Sequence, residues 1–219
     1  MRKQVVGVGL VAAVLAAAGC AAVGIPTVVG SGVTATEDRE VPGFTKVSAS
    51  TGVDVTVTVG TEDAVEVTAD ENILPLVATT VEADTLRIRL TNSVQSRTPI
   101  KVAVTAKRLT GVVASAGAAV TVDKLAADAW TADVSSGGSV TARGTAGTLT
   151  ASVSSGGDFK GGDLVCKSVT ADASSGGSAT VTATDALKAS ASSGGSVRYR
   201  GSPKDVTPSV SSGGSVSKE

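Results

Sequence analysis

Thr131-Ala132-Asp133-Val134-Ser135-Ser136-Gly137-Gly138-Ser139-Val140 is the stretch whose reading decides the fold. Its centre, Ser-Ser-Gly-Gly, returns at 154–157, 174–177, 192–195 and 211–214, in steps of 19, 20, 18 and 19 residues. A weaker copy, Ser115-Ala116-Gly117-Ala118, stands 20 residues before the first. Aligning the copies exposes apolar columns. Before the Ser pair come Val134, Val153, Ala173, Ala191 and Val210. Two residues earlier stand Ala132, Ala151, Ala171, Ala189 and Pro208, and two earlier again Trp130, Leu149, Val169, Leu187 and Val206. After the Gly pair and one polar residue come Val140, Phe159, Ala179, Val197 and Val216.

Alternation with a period of two gives each strand one buried and one wet face. Columns that repeat from copy to copy mean that like residues stack on like. The pattern therefore predicts an all-β fold, a β-solenoid with about 19 residues per coil. A flexible Gly/Ser linker has no reason to keep apolar columns, and the near-constant step favours stacked coils over a simple antiparallel meander. The pairs Gly137 and Gly138, Gly156 and Gly157, Gly176 and Gly177, Gly194 and Gly195, and Gly213 and Gly214 are expected to supply positive φ at one corner of each coil. The adjacent Ser hydroxyls are expected to bond turn backbone or to form ladders between coils.

Upstream the repeat fades but the alternation does not. Val53 to Val59, Ala64 to Ala69, Thr85 to Leu90 and Ile100 to Val104 each alternate, and Asn72-Ile73-Leu74-Pro75-Leu76-Val77 reads as one short helical turn. We read 41–219 as one solenoid domain, with a β-rich opening over 41–110 and the Ser-Ser-Gly-Gly repeats over 111–219. Terminal coils of such stacks are atypical. Residues 21–40 hold Gly, Pro and Thr without sustained period and read as a flexible tether, reaching roughly 25 Å as a coil.

The first twenty residues read as an export address. Arg2 and Lys3 precede an uncharged apolar run from Val5 to Ala18, too short for a comfortable membrane span. It ends in Ala16-Ala17-Ala18-Gly19-Cys20, where small residues before a cysteine fit lipoprotein cleavage. The expectation is a diacylglyceryl group on Cys20 and a chain held to the outer face of the cell membrane by acyl chains.

The order of the pieces carries a resemblance. Val41-Pro42-Gly43-Phe44-Thr45-Lys46-Val47, then Thr51 to Val57, then Glu66-Val67-Thr68-Ala69-Asp70-Glu71-Asn72-Ile73-Leu74-Pro75, then Thr85-Leu86-Arg87-Ile88 lead into the Ser/Gly-rich repeats. Over roughly 40–216 the chain resembles the auto-transporter adhesin head GIN domain family of bacterial envelope lipoproteins. The resemblance implies a single-stranded right-handed β-helix and a cell-surface role, and no catalytic motif carries over. The corners depart from the family, which more often has Ser-Gly-Ser-Gly or Ser-Gly-Ala-Gly.

Composition narrows the chemistry. There is no histidine among 219 residues, so the commonest general base and metal ligand are missing. A net charge of −1 gives no footprint for nucleic acid, and aromatics at 2% leave no base- or sugar-stacking platform. With Cys20 lipidated, Cys166 has no disulfide partner and is expected as a small buried apolar residue. Asp158, Asp163 and Asp172 lie near corners but lack the Gly-Gly-x-Gly-x-Asp spacing of calcium-binding rolls. Arg143, Arg198 and Arg200 fall on different coils without a carboxylate cluster in sequence, against a polysaccharide lyase. Trp130 falls in the column of Leu149, Val169 and Leu187 and reads as core or cap packing, and Tyr199, two residues after Val197, reads as core or rim. No cofactor is implied. The expected function is a non-catalytic envelope module presenting a Ser/Thr-rich face to a surface partner such as a cell-wall glycan. The rivals are a purely structural spacer and, less favoured, a polysaccharide-active β-helix enzyme.

Overall fold

The computed structural model describes residues 27–219; the stretch read as an export address, and Cys20 with it, lies outside the described residues. The elements are β1 (Val28–Val29), β2 (Thr34–Arg39), β3 (Lys46–Ala49), β4 (Asp54–Val59) and β5 (Ala64–Asp70). A 3-10 turn, Leu74–Leu76, leads to β6 (Val77–Glu82), β7 (Thr85–Leu90), β8 (Val94–Gln95), β9 (Lys101–Ala106) and β10 (Gly111–Ala114). The repeats form β11 (Ala119–Val134), β12 (Ser139–Val153), β13 (Asp158–Ala173), β14 (Ser178–Ala191), β15 (Ser196–Gly201), β16 (Asp205–Val210) and β17 (Ser215–Lys218).

Each long strand bends midway, so every coil contributes to two parallel ladders. After the corner the ladder runs β9-β4-β11-β12-β13-β14-β15-β17. Before the corner it runs β7-β3-β10-β11-β12-β13-β14-β16. The architecture is a β-solenoid, as the repeat predicts. Val134, Val153, Ala173, Ala191 and Val210 are successive register partners. So are Val140, Phe159, Ala179, Val197 and Val216. Those inside the stack are almost fully buried, and Phe159 packs 6.2 Å from the Trp130 ring. A fully buried Val, Leu or Phe contributes about 1.5–3 kcal/mol, so the interior files supply much of the cohesion between coils.

The corners differ from expectation in one respect. Ser136 and Gly137 have φ of 51° and 70°, and the Gly138 amide donates to the Ser135 carbonyl at 2.9 Å. Two central residues at positive φ with this bond make a type I′-like turn. Positive φ thus falls on the second Ser and the first Gly of each corner, and the same holds at 155 and 156, 175 and 176, 193 and 194, and 212 and 213. The second glycines, Gly138, Gly157, Gly177, Gly195 and Gly214, are not at positive φ, which corrects the expectation that both members of the pair supply it. They serve close approach instead. A Cβ on Gly138 would lie 2.6 Å from the Ala114 carbonyl oxygen one coil below, and one on Gly177 would lie 2.6 Å from that of Val153. Gly195 and Gly214 press in the same way on the carbonyls of Ala173 and Ala191. The first-glycine amides also stitch corner to corner, as from Gly137 to the Ser155 carbonyl at 3.2 Å. Among the described residues the corner Ser hydroxyls form no hydrogen bond to protein, so the expected hydroxyl ladder is not seen.

The opening segment is a cap with interleaved coils. The coil of β7 and β9 stacks beneath that of β3 and β4, which in turn stacks beneath β10 and β11. Residues 46–59 are thus covered from one side by residues that follow at 85–106 and from the other by 111–123. Thr51 and Gly52, at φ 64° and 69°, make a further corner whose Gly amide bonds the Ala116 carbonyl at 3.1 Å.

Beyond β9 and β7 the ladders reverse. β5 pairs antiparallel with β9, and β6 with β7. The tether expected over 21–40 is corrected for its described part, 27–40: Thr34–Arg39 is a strand, antiparallel to β5, and β1 pairs with β8. These polar residues order because β5 offers an open edge and because Asp70, at its end, grips the loop before β2. The opposite end is bare. Val206 and Val210 are 40% and 54% exposed, and Pro208 on the edge strand β16 has no N–H to offer a neighbour.

Candidate functional site

The outward residues form files that run along the stack at about 4.8 Å per coil. Thr131, Thr150, Thr170, Lys188 and Thr207 are one such file. Ser139, Asp158, Ser178, Ser196 and Ser215 are another. Thr141, Lys160, Thr180, Arg198 and Ser217 make a third. Strand alternation forces this: once Val140 or Ala151 faces in, its neighbours face water.

Charges on this surface pair locally. Arg143 reaches Asp123 at 3.0 Å and Asp163 at 3.8 Å, so two neighbouring coils sandwich it. Lys160 meets Asp158 at 3.2 Å, and Arg200 meets Glu219 at 2.6 Å. Arg198 and Arg200 lie on β15, and the Arg200 guanidinium reaches back to Gly162 on β13, lining a cleft with Asp163. Among the described residues no three acidic or cysteine side chains come together to hold a metal ion.

Asp70 is the one fully buried charged residue among those described. Its carboxylate accepts from Ser96 Oγ at 2.6 Å and from the amides of Arg97, Thr98 and Gly32 at 2.8, 3.2 and 2.8 Å. The Ser96 bond first, then the amides, outweigh burial and hold its pKa down to about 2. With every contact made by protein, Asp70 is a clamp that ties the loop before β2 to the loop before β9. Cys166 is buried, its sulfur 3.7 Å from the Leu164 carbonyl, and burial pushes the thiol up to about 11. It is the small apolar core residue expected. Trp130 is buried too, with its indole N–H unpartnered.

A cleft interrupts the regular surface. It lies between the strap 107–110, which crosses from β9 to β10, and the bend of β11 near 126–129. Its volume is about 660 Å³, and Lys46, Lys107, Arg108, Thr148 and Thr150 are on its walls. Sequence reasoning names none of these as site residues, because 46, 107 and 148 meet only through the interleaving of coils.

Stacked parallel coils, an interleaved cap and polar outer files rich in Ser and Thr define a capped β-solenoid. The chain belongs to the family described as putative auto-transporter adhesin, head GIN domain, which matches residues 43–203. No curated protein matches the sequence. Solved structures share the fold. One is a putative adhesin from Bacteroides fragilis: TM-score 0.69, 21% identity, 88% of this chain and 100% of that one covered. Another is a putative adhesin from Parabacteroides merdae: TM-score 0.56, 20% identity, 88% and 99% covered. A protein from Parabacteroides distasonis described as a putative lipid binding protein aligns at TM-score 0.54 and 18% identity, covering 89% and 100%. The family's adhesin character points to a surface or extracytoplasmic protein.

Proposed function

We propose that this chain is a non-catalytic adhesion module of the cell envelope, anchored by lipid on Cys20, that presents its hydroxyl-bearing files to a surface polymer. The observation that carries the reading is the regularity of those files. Ser and Thr recur in register over successive coils while the corner hydroxyls stay unbonded to protein. Free hydroxyls on a rigid, evenly spaced scaffold bind without ordering costs in the protein, because the coil stack has already fixed them. Family membership supports the adhesive role. A solenoid used only as a spacer would need the buried files but not a hydroxyl-rich exterior.

Pull-down of the exported chain on isolated cell-wall polymers tests the binding role. Saturable retention that weakens when Thr131, Thr150 and Thr170 are changed to Val supports it, and no retention on any polymer removes it. The anchor is tested separately. Cys20→Ser is expected to move the protein from the membrane to the soluble fraction, and unchanged fractionation would remove the lipid.

A further inference from the structure

We propose that the cleft between the strap 107–110 and β11 is a binding site for an anionic glycan, a sugar polymer bearing carboxylate or phosphodiester groups. The proposal rests on the surface-binding role above and gives it a location and a ligand chemistry.

The cleft follows from the interleaved cap. β11 is paired on its cap side by β4 over residues 119–123 and by β10 over 131–134. Between those segments it has no strand neighbour on that side, whereas β12 covers the other side. The chain passes this gap as the strap instead. Buried Leu109 fixes the strap to the core, and exposed Lys107 and Arg108 stand just before it.

The charge of the cleft is lopsided. Lys46, Lys107 and Arg108 are on its walls against a single carboxylate, Asp128. Neither Lys107 nor Arg108 makes an ion pair among the described residues. Lys46 meets Asp84 at 3.5 Å, but both ends are about half exposed, so a ligand anion can compete for the ammonium. Three smaller clefts on the same molecule are not like this. One sets Lys160 and Arg200 against Asp163 and Glu219; another sets Lys101 against Asp54 and Glu66; the third sets Arg97 against Asp54. Asp63 also stands close by, its carboxylate accepting from the Lys107 backbone amide at 2.8 Å, but neither it nor Asp128 pairs with the side chain of Lys107 or Arg108. A walled cleft with an excess of cations concentrates anions, and Lys and Arg bind carboxylate or phosphate through charge-assisted bonds. Exposed Thr131, Thr148 and Thr150 are on the same walls; the hydroxyls of Thr131 and Thr148 donate to the Thr110 and Asp128 carbonyls and keep lone pairs to accept from the hydroxyls of a sugar chain. Trp130 keeps its ring in the core, so stacking contributes little and charge dominates.

Trp130, the sole tryptophan, borders this cleft and reports on it. The full chain is titrated with polygalacturonate, poly(glycerol phosphate), neutral dextran and polyglutamate while tryptophan fluorescence is followed. The expected result is a saturable change with one or both anionic glycans, weakened by salt, and none with dextran. Polygalacturonate against poly(glycerol phosphate) tells carboxylate from phosphodiester. Lys107→Gln with Arg108→Gln is expected to weaken binding at least about tenfold, the loss of two charge-assisted bonds. Its melting temperature should be unchanged, because both side chains are exposed. Lys204→Gln with Lys218→Gln, at the far end, should leave binding intact. Anionic-glycan binding that ignores the Lys107/Arg108 change, or polyglutamate binding as tightly as either glycan, overturns the site. Retention on cell walls that survives the same change overturns the site but leaves the adhesive role standing, whereas no retention at all overturns both.

Discussion

Gly157 lies so close to Val134 that a Cβ on the glycine would sit 2.7 Å from the valine's carbonyl oxygen. Its neighbour Gly156 has open space around it but a φ of 71°. Two adjacent glycines thus meet different demands, and alanine separates them. Gly156→Ala is expected to cost about 1–2 kcal/mol, the penalty of a left-handed backbone. Gly157→Ala sets a methyl against the Val134 carbonyl, which must shift to admit it as the corners at Val53 and Ala118 do, and should cost more, about 3 kcal/mol. Urea unfolding of both variants checks the order, and equal losses would contradict the turn geometry described.

The interior file predicts where truncation hurts. Phe159 is fully buried against Trp130, whereas Val210 holds an inward place on the last coil and is half exposed. Phe159→Ala should cost about 3–5 kcal/mol by leaving a cavity. Val210→Ala should cost under about 1 kcal/mol, since little of it leaves water on folding. Denaturant midpoints for the pair provide the test.

Acid should loosen the cap through Asp70. Its folded pKa is depressed to about 2 from an ordinary 3.8, so the unfolded chain takes up the proton first as pH falls. The carboxylate's contribution is complete above the ordinary value and is lost as pH drops through 3.8 toward about 2. Asp84, also held below its usual range by the Thr45 hydroxyl, adds in the same direction. Unfolding free energy measured from neutral pH down to this window should fall, and Asp70→Asn should flatten that fall while lowering stability at neutral pH. An unchanged pH profile in Asp70→Asn would remove the clamp.

Cys166 should be inert in the native protein. A buried thiol with its pKa raised to about 11 offers almost no thiolate at mildly alkaline pH. Iodoacetamide should label it only after denaturation, read as a mass shift, and rapid labelling of the folded chain would contradict its burial.

The repeat is legible in the sequence because its signal is local and redundant: each coil carries its own corner and alternating apolar residues. The close approach that favours the second glycine, at Gly177 and Gly195 as at Gly157, is not legible, because it arises between residues one coil apart. The cap reads as β-rich but its order does not show. Ser50-Thr51-Gly52-Val53 turns the same corner with only one glycine, so it does not look like a copy. Thr34–Arg39 reads as tether because its side chains, Thr-Ala-Thr-Glu-Asp-Arg, show no apolar face; its pairing comes from the edge of β5, thirty residues on. The cleft at Lys46, Lys107 and Arg108 has no sequence signal at all, since strand order along the axis departs from strand order along the chain.

That departure bears on how the protein is made. Residues 46–59 leave a ribosome or export pore before either of their eventual neighbours, so they cannot be laid down as the first step of an orderly winding. They must wait, loosely held, until about sixty further residues have emerged. Growth from the regular coils back toward the amino end is then the economical route, with this segment locked in place late. A chain stalled before residue 85 would leave it uncovered on both sides and prone to aggregate through its exposed valines.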